Sequence, residues 1–588
     1  MASCKILIIS AFLIVLNLFI TGCSSSDSST PMSGDASLSA VITDFDLDQI
    51  FQSTLTEYTA TVGFLQSTAS IQAITTASNA TLTLNGNHVQ NDSIQTISLN
   101  EGENPITLVV TAQDGNQQTY SLTLTRESFL TLAQQGYLKA SNAGSGDELG
   151  RAIAISGDTL VVGVSSEDGD SNSTWATPNN NASNAGAVYV FIRNGTTWTQ
   201  QAYLKASNIE AGDGFGSIVA ISGDTLVVGA VGEDGDSNST STVSNNNVNN
   251  AGAVYVFTRN GTTWTQEAYI KAGNAGDSDN FGVSIAIDGD TLAVGANWED
   301  GNINSTVDNP NDFATSSGAV YVFTRSGVTW THQAYLKASN ADNLDYFGED
   351  IGLSGDTIVV GAWREAGDAN STFETPNNNG HQTGAAYVFV RNGSSWAQQA
   401  YLKASNADDL DYFGDSVAVS GNTIAVGSWG EDGDVNSTAS SPNDNAISTG
   451  AVYVFERSGT TWTQQAYLKA HNAQNSDILG TSVAISGDTL AVSAIGEDGD
   501  ANSIVTDTNN NESGAGAVYI YTRKNTTWSQ MSYRKASNAG SLDEFGRSLA
   551  IDGDTLVVGA QGEDGDLNST FSLPNDNMST AGAVYVVK

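Results

Sequence analysis

The chain has 588 residues, too many for one ordinary hydrophobic core, and its length predicts several domains. Its formal net charge of -43 argues against nucleic acid and against an anionic membrane surface as direct partners, because both require clustered lysine and arginine. Such a charge is typical of a solvated acidic protein or of one that takes up cations. Both cysteines, Cys4 and Cys23, lie near the N-terminus, so we expect no disulfide in the folded body.

Residues 1–22 have the pattern of a signal peptide. Lys5 gives a weakly positive start, and the apolar run from Ile6 to Ile20 is too short and too poorly flanked for an ordinary membrane span. The run ends in Thr21-Gly22-Cys23, which resembles the lipobox of bacterial lipoproteins. The resemblance implies that Cys23 is lipid-modified and becomes the N-terminal residue after cleavage. The alternative is a plain secretory signal with a chance cysteine.

A Ser-rich tether covers residues 23–35 and is expected to behave as a linker, because it cannot bury a core. Several acyl chains on one cysteine anchor a protein stably where one chain does not. We therefore expect a lipid-anchored protein of the bacterial cell envelope, at the outer membrane or the cell surface. Its contact with the membrane would be made through the lipid anchor alone.

Residues 36–127 show period-two alternation of apolar and polar residues in short segments, at 58–62, 80–84, 106–110 and 120–124. Asn85-Gly86 and Asp114-Gly115 provide hairpin turns between such segments. The pattern predicts a small antiparallel β-sandwich. Residues 99–115 and 119–125 resemble the bacterial cadherin-like β-sandwich family, which implies a spacer or an adhesive accessory domain.

The rest of the chain, residues 130–588, is divided by two series of glycines that each recur every 66 residues. The series are Gly150, Gly216, Gly282, Gly348, Gly414, Gly480 and Gly546, and Gly186, Gly252, Gly318, Gly384, Gly450, Gly516 and Gly582. A fixed long period identifies a repeat architecture. Seven copies of a β-rich unit predict a closed ring.

Each copy contains four predicted strands, which in the fifth copy cover 413–420, 423–428, 450–456 and 461–469. Four short antiparallel strands per unit form a propeller blade. The last copy ends after its third strand, and residues 132–139 match the missing fourth strand. We therefore predict an all-β protein: a small sandwich followed by a seven-bladed β-propeller of four-stranded blades, closed by an N-terminal strand that removes exposed edges.

The motifs Phe-Gly-x-Ser-Val/Ile-Ala, Leu-Val-Val-Gly-Ala and Gly-Ala-Val-Tyr-Val-Phe resemble FG-GAP repeats, the blades of integrin alpha-chain propellers and many bacterial surface proteins. The integrin-like pattern has an Asp-rich calcium loop between the first two strands. Here that turn is only Ser156-Gly157-Asp158 and its equivalents, which is too short to enclose a cation. We expect that calcium site to be absent and these aspartates to act as turn formers.

The loop between the second and third strands begins with a different acidic motif. Asp-Gly-Asp-x-Asn places oxygen side chains at positions one, three and five, a spacing that lets one loop wrap Ca²⁺. The candidate ligands are Asp168, Asp170, Asn172, Asp234, Asp236, Asn238, Asp432, Asp434, Asn436, Asp498, Asp500, Asn502, Asp564, Asp566 and Asn568. The alternative is a solvated acidic turn. Residues 300–304 and 366–370 carry degraded copies, and we expect them to bind most weakly.

Aromatic residues on the same predicted face are confined to copies three to five. They are, with one adjacent arginine, Trp298, Tyr346, Trp363, Arg364, Tyr412 and Trp429. Exposed aromatic side chains near carboxylates can stack on a sugar or hold a protein ligand. The alternative is packing within the loops. Trp198, Trp264, Trp330, Trp396, Trp462 and Trp528 instead recur in the fourth strand, which indicates a structural role.

These features favour a binding or adhesion lipoprotein that presents its long loops to a surface glycan or protein ligand. Nothing in the sequence favours an enzyme. His88, His332, His381 and His471 fall in no repeated motif, and no serine nucleophile elbow or candidate cysteine nucleophile is present. The alternatives are an extracellular polysaccharide-active hydrolase with a carboxylate pair on the acidic face, and a structural surface component.

Overall fold

The computed structural model describes residues 32–45, 47–62, 68–100, 102–126, 134–174, 176–240, 243–438, 441–503, 509–570 and 573–588. The predicted signal peptide, Cys23 and most of the tether lie outside the described residues. The chain forms two compact units, which divide after Arg126. Within the described ranges, no helix is long and apolar enough to cross a membrane.

The N-terminal unit is a sandwich of two sheets, ordered β1-β3-β6 and β2-β8-β7-β4-β5. Its strands are β1 (Leu38–Thr43), β2 (Glu57–Val62), β3 (Thr68–Thr75), β4 (Thr81–Leu84), β5 (Asn87–Val89), β6 (Ile94–Ser98), β7 (Gly102–Thr111) and β8 (Gln117–Arg126). Alternate side chains of β2 and β3 are buried, as the period-two pattern predicts. One pairing departs from the predicted antiparallel sandwich, because β2 and β8 run parallel. No hairpin joins these two strands, since the chain crosses to the other sheet after β2.

The second unit consists of seven four-stranded antiparallel sheets, here called blades 1 to 7. Blades 1 to 3 contain β10 (Ala152–Ser156), β11 (Thr159–Val164), β12 (Ala187–Asn194) and β13 (Thr197–Leu204); β14 (Val219–Ser222), β15 (Thr225–Ala230), β16 (Ala253–Asn260) and β17 (Thr263–Ile270); and β18 (Ile285–Asp288), β19 (Thr291–Ala296), β20 (Ala319–Ser326) and β21 (Thr329–Leu336). Blades 4 and 5 contain β22 (Ile351–Ser354), β23 (Thr357–Ala362), β24 (Ala385–Asn392) and β25 (Ser395–Leu402); and β26 (Val417–Ser420), β27 (Thr423–Ser428), β28 (Ala451–Ser458) and β29 (Thr461–Leu468). Blades 6 and 7 contain β30 (Leu479–Ser486), β31 (Thr489–Ala494), β32 (Ala517–Lys524) and β33 (Thr527–Arg534); and β34 (Leu549–Asp552), β35 (Thr555–Ala560), β36 (Ala583–Val587) and β9 (Gln134–Leu138).

The ring is closed, as the split seventh copy predicts. The first strand of each blade contacts the first strand of the next, and β34 of blade 7 contacts β10 of blade 1. The N-terminal strand β9 pairs antiparallel with β36, with Tyr137 opposite Tyr585. The predicted all-β architecture, with a seven-bladed propeller closed by an N-terminal strand, is confirmed.

Both glycine series mark places where neighbouring blades approach each other through the main chain. Gly186 of blade 1 forms a parallel bridge with Phe215 of blade 2, and a Cβ atom added to Gly186 would overlap the Phe215 carbonyl oxygen. A Cβ atom on Gly163 would likewise overlap the carbonyl oxygen of Gly216. Gly186 and Gly216 have φ values of 87° and 95°, a region that disfavours other residues. The glycines recur every 66 residues because each blade makes this close main-chain contact with its neighbour once.

In six of the seven blades the first strand is shorter than the sequence predicts, whereas in blade 6 β30 covers the whole equivalent segment, Leu479–Ser486. In blade 5 the predicted segment is 413–420, whereas β26 covers Val417–Ser420. Phe413 and Gly414 lie before the strand because they make the contact with blade 4: Phe413 bridges Gly384, and Gly414 has a φ of 94°. Inter-blade contact has replaced strand pairing at these residues.

The recurrent tryptophan of the fourth strand connects blades at their outer strands. Trp264 of blade 2 is buried, lies under the Arg259 guanidinium, and donates a 3.1 Å hydrogen bond from Nε1 to Gln201 of blade 1. Gln201 is directed there by a β-bulge in β13, where Val190 pairs with Ala202 and the next residue of β12 pairs with Gln200. The tryptophan series therefore has the structural position that its recurrence indicates.

We predict that Gly318→Ala destabilises the propeller far more than Gly327→Ala. Both glycines have positive φ, 81° and 65°, so each substitution carries left-handed strain of about 1–2 kcal/mol. An added Cβ meets the Phe347 carbonyl oxygen at position 318 but nothing within 4 Å at position 327. Overpacking adds about 1–3 kcal/mol to the first variant only. The measurement is the urea midpoint of the full chain, and equal midpoints for the two variants would contradict the close-contact explanation.

Candidate functional site

Two sets of loops share one end of the propeller, here called the long-loop face. Because adjacent strands are antiparallel, the segment that enters the first strand and the loop that leaves the second strand emerge together. In blade 4 these are the residues before Ile351 and the residues after Ala362. All calcium candidates and all aromatic candidates lie in such segments.

The glutamate that begins each long loop is buried. In blade 4, Glu365 Oε2 lies 3.1 Å from Lys403 Nζ and accepts the Gly367 N–H at 2.9 Å. Its Oε1 accepts a 3.0 Å hydrogen bond from Asn340 Nδ2, and Asn340 Oδ1 accepts one from the Tyr387 hydroxyl at 2.9 Å. This network joins the long loop to the third strand, to the segment after the fourth strand and to the segment from the preceding blade.

The same buried ion pair is present in all seven blades. The pairs are Lys205–Glu167, Lys271–Glu233, Lys337–Glu299, Lys403–Glu365, Lys469–Glu431, Lys535–Glu497 and Lys139–Glu563. Burial lowers the pKa of Lys403, and the Glu365 charge opposes that shift. Each pair neutralises a buried charge that would otherwise be costly. One carboxylate per blade is thus used for structure.

A second acidic position, in the entry loop, is also buried. Asp411 Oδ2 accepts the Asp408 N–H at 2.8 Å, and Asp147 and Asp213 make the equivalent contact in blades 1 and 2. Burial, only partly offset by this hydrogen bond, raises the pKa of Asp411 to about 8 and that of Asp213 to about 7. These buried side chains hold the entry loops in place through hydrogen bonds to the main chain.

The second aspartate of the Asp-Gly-Asp-x-Asn motif holds its own loop closed. Asp170 Oδ1 accepts the Asn172 N–H at 2.8 Å and the Asn179 Nδ2 at 3.0 Å, and Oδ2 accepts the Asn181 Nδ2 at 3.1 Å. The equivalent amide contacts hold the pKa of Asp236 and Asp500 at about 2. Asp368 in blade 4 makes the same contacts, although its motif lacks the first aspartate.

The first aspartate of the motif is turned toward a different part of the loop. Asp168 Oδ1 accepts the Asn184 N–H at 2.9 Å. Asn172, the last member of the candidate set, is exposed. Among the described residues, no group of three or more His, Cys, Asp or Glu side chains is placed to hold a metal ion together. Calcium binding by these loops stays a prediction.

Five of the six ligand candidates form one continuous stack across blades 4 and 5, here called the aromatic ladder. The Arg364 guanidinium lies 4.3 Å from the Trp363 ring centroid and 4.9 Å from that of Tyr346. The ring centroids of Tyr346 and Trp363 are 5.7 Å apart, those of Trp363 and Tyr412 5.3 Å, and those of Tyr412 and Trp429 4.3 Å. All five side chains are half-buried.

Trp298 is separate from this stack. Counting by 66 residues, Trp363 and Trp429 correspond to Asn297 in blade 3, and Trp298 corresponds to Arg364. Trp298 is 44% exposed and makes none of the ring contacts found among the described residues. Trp298 also opens a long loop, as Trp363 and Trp429 do, but it lies one residue later in its repeat than they do in theirs.

The tyrosines of the ladder are in an unusual backbone conformation. Tyr346 and Tyr412 have φ values of 55° and 56°, at a position that is Gly214 in blade 2 and Asn280 in blade 3. Glycine and asparagine tolerate this region, whereas a bulky side chain does so at a cost. The equivalent residues Glu148, Ile478 and Glu544 also have positive φ, so this conformation belongs to the repeat and is not specific to the ladder.

The residue after each Phe-Gly or Leu-Gly pair lines the central channel, and this position breaks the symmetry of the ring. The seven residues, here called the channel ring, are Arg151, Ser217, Val283, Glu349, Asp415, Thr481 and Arg547. They enclose a cavity of about 460 Å³. The two arginines belong to adjacent blades 1 and 7, and the two acids belong to adjacent blades 4 and 5, on the opposite side.

The acidic side of the channel lies directly beneath the ladder. Glu349 Oε2 accepts hydrogen bonds from Asn297 Nδ2 at 2.8 Å and from Trp363 Nε1 at 3.1 Å, while Trp429 donates one to Asp415. Burial raises the pKa of Asp415 to about 7, and the Glu349 charge adds to the shift. Burial also raises the pKa of Glu349.

Asp350, the residue after Glu349, has a structural role instead. Asp350 Oδ1 accepts the N–H of the next residue, Ile351, at 2.9 Å. Asp350 Oδ2 accepts the Val417 N–H of blade 5 at 2.7 Å. The equivalent Ser284 donates to Gly348 of the next blade. The sequence analysis missed the channel ring, although aligning the seven copies at the residue after the Phe-Gly or Leu-Gly pair shows two arginines and two acids there.

Family models match both units of the chain. The model described as "Cadherin-like beta sandwich domain" matches residues 35–127. The model described as "FG-GAP repeat" matches seven times, at residues 132–191, 198–257, 264–323, 330–389, 396–455, 462–521 and 528–587. No curated protein matches the chain. The seven matches together cover more than half of the sequence.

The predicted calcium loops are tested by chelation. A cation bound only by the folded protein at 100 times its Kd stabilises the fold by about 2.7 kcal/mol. We therefore expect EDTA to lower the Tm of the full chain, and excess Ca²⁺ to restore it while Mg²⁺ does not. An unchanged Tm after chelation would show that the Asp-Gly-Asp-x-Asn loops are closed by their own amide contacts alone.

Proposed function

Because the chain belongs to the FG-GAP repeat family and carries a cadherin-like β-sandwich domain, we propose that it is a binding or adhesion protein whose long-loop face recognises a surface glycan or protein. Domains of both kinds are typically binding or structural modules without catalysis. The aromatic ladder of blades 4 and 5 is the single observation that supports this face as the binding surface.

The ladder is a local addition to a repeated scaffold. At the positions of Trp363 and Trp429, blades 1 and 2 have Ser165 and Val231, and both blades close with the same inter-blade contacts. The aromatic side chains are therefore not required to form a blade. Large, rigid and half-exposed aromatic groups with a flanking arginine are the side chains that dominate binding energy at interfaces.

Both ligand classes suit this chemistry. Sugar rings stack on aromatic faces and donate hydroxyl hydrogen bonds to carboxylates, and protein ligands fill the same kind of aromatic surface. Trp298, which is 44% exposed on the neighbouring blade 3, extends the aromatic surface to a third blade. A screen of glycans and surface proteins distinguishes the two classes.

We predict that Trp363→Ala combined with Trp429→Ala abolishes ligand binding. Two central aromatic side chains, each contributing about 2 kcal/mol or more, correspond to a loss of at least about 100-fold in affinity. The measurement is a glycan array and a surface-protein display probed with the purified full chain.

The matched control is Ile495→Ala combined with Gln561→Ala, which changes the same position in blades 6 and 7, outside the ladder. This variant should bind the ligand as the parent chain does. Equal binding by both double variants would contradict the proposal. Loss of the folded state in the ladder variant alone would instead favour a packing role for the tryptophans.

The sequence of residues 1–35 also supports a proposal for location: a protein of the bacterial cell envelope that is anchored by lipid at Cys23. We expect Cys23→Ser to shift the protein from the membrane fraction to the soluble fraction, because the acyl chains are its only contact with the membrane. Mass spectrometry of the parent protein should show an acylated N-terminal Cys23. An intact segment 1–22 in the mature protein, or an unchanged distribution of the variant, would contradict the anchor.

A further inference from the structure

We propose that the central channel binds a small zwitterion, with its ammonium group at the acidic wall of blades 4 and 5 and its carboxylate at the arginine wall of blades 7 and 1. The acidic wall is Glu349 and Asp415, and the arginine wall is Arg547 and Arg151. This site goes beyond the proposed function, because it is a small-molecule site inside the ring and does not depend on which ligand the aromatic ladder holds.

The acidic wall has no ion-pair partner within the part of the chain that the structure describes. Glu349 and Asp415 accept hydrogen bonds from neutral donors, Asn297 and the two ladder tryptophans, and neither carboxylate forms an ion pair. The Arg364 charge acts on Glu349 and the Arg547 charge acts on Asp415, but Arg364 lies on the ladder rings and neither arginine forms an ion pair with these acids. Two adjacent carboxylates therefore face the channel without an ion-pair partner.

One of the two arginines of the arginine wall is also without an ion pair. Arg547 lines the cavity, and its guanidinium makes no hydrogen bond or ion pair with any described residue. Its neighbour Arg151 is paired at 3.2 Å with Glu148, at the rim of the channel. Planar guanidinium groups bind carboxylates through two parallel hydrogen bonds, so the free Arg547 is suited to that group.

An unsatisfied buried acceptor points to a ligand at the acidic wall. Asn297 is 5% exposed and directs its amide at Glu349, yet its Oδ1 accepts no hydrogen bond within the described structure. The hydroxyl of Ser217, in the same channel ring, is also buried without a partner. Buried polar atoms are rarely left unpaired in folded proteins. An ammonium group, which has three donors and no acceptor, fits the two carboxylates that line the cavity.

The arrangement favours a zwitterion over a metal ion or a singly charged ligand. The described residues contain no group of three His, Cys, Asp or Glu side chains placed for a metal. A cation alone would leave Arg547 unpaired, and an anion alone would leave Glu349 and Asp415 unpaired. The two walls do not pair with each other, and the cavity of about 460 Å³ between them is of the size that small-molecule sites have.

The experiment measures binding of glycine, γ-aminobutyrate and ε-aminocaproate to the full chain by calorimetry and by the rise in Tm. These compounds keep both charged groups and differ in the distance between them. We expect one length to bind best, and hexylamine and hexanoate, which each lack one charge, to bind at least about 10-fold more weakly. Absence of binding by all three zwitterions, or equal binding by hexylamine, would overturn the proposal.

Two variants test the walls separately. Asp415→Asn and Arg547→Gln should each weaken binding of the best zwitterion at least about 10-fold, because each removes one charge-assisted contact. Val328→Thr, a neutral change of similar volume in an exposed turn outside the channel, is the matched control and should leave the affinity unchanged. The Tm of each unliganded variant shows whether it is folded. Unchanged affinity in both charge variants would overturn the proposal.

Discussion

The main-chain contact between neighbouring blades is the constraint on which the rest of the propeller depends. Gly186 lies against Phe215, and Gly163 lies against Gly216, with no room for a side chain between them. Because the contact is made by backbone atoms, it sets the spacing of the blades. In six blades it also delays the start of the first strand, and in all seven the residue after the Phe-Gly or Leu-Gly pair lines the central channel. Repeated seven times and closed by the bridge between Leu149 and Gly582, one local contact produces both the ring and the lining of its channel.

The acidic character of the chain is partly a consequence of the same construction. Each blade buries one lysine–glutamate pair and one aspartate of the entry loop, which together connect loops that would otherwise have little hydrophobic core. Breaking such a buried pair leaves an uncompensated charge, so these residues constrain the loops strongly. The acids that remain available for a ligand are therefore fewer than the motifs indicate, and Glu349 and Asp415 face the channel without an ion pair in the described structure.

The functional features occur where the copies differ. Blades 4 and 5 have the ladder of Tyr346, Trp363, Tyr412 and Trp429 where the other copies have non-aromatic residues, and the same two blades bring acids to the channel. Trp363 and Trp429 belong to both features, because each stacks in the ladder and donates a hydrogen bond to an acid below it. The surface and the channel are therefore connected through the same side chains, while the backbone of the ring stays symmetric.

The sequence by itself determined the number of blades, the four strands in each, and the closure by the N-terminal strand. These follow from a 66-residue period and a split last copy, which any reader of the chain can align. It did not determine that Glu365 is buried, or that the Asp170 carboxylate accepts hydrogen bonds from asparagine side chains of its own loop. It also did not determine that β2 pairs in parallel with β8, or that Trp298 lies outside the stack that contains Trp363. Only the tertiary structure decided these points. The burial of a side chain, its hydrogen-bond partners and the charges near it depend on which residues from distant parts of the sequence are in contact. A local sequence pattern contains no information about those contacts.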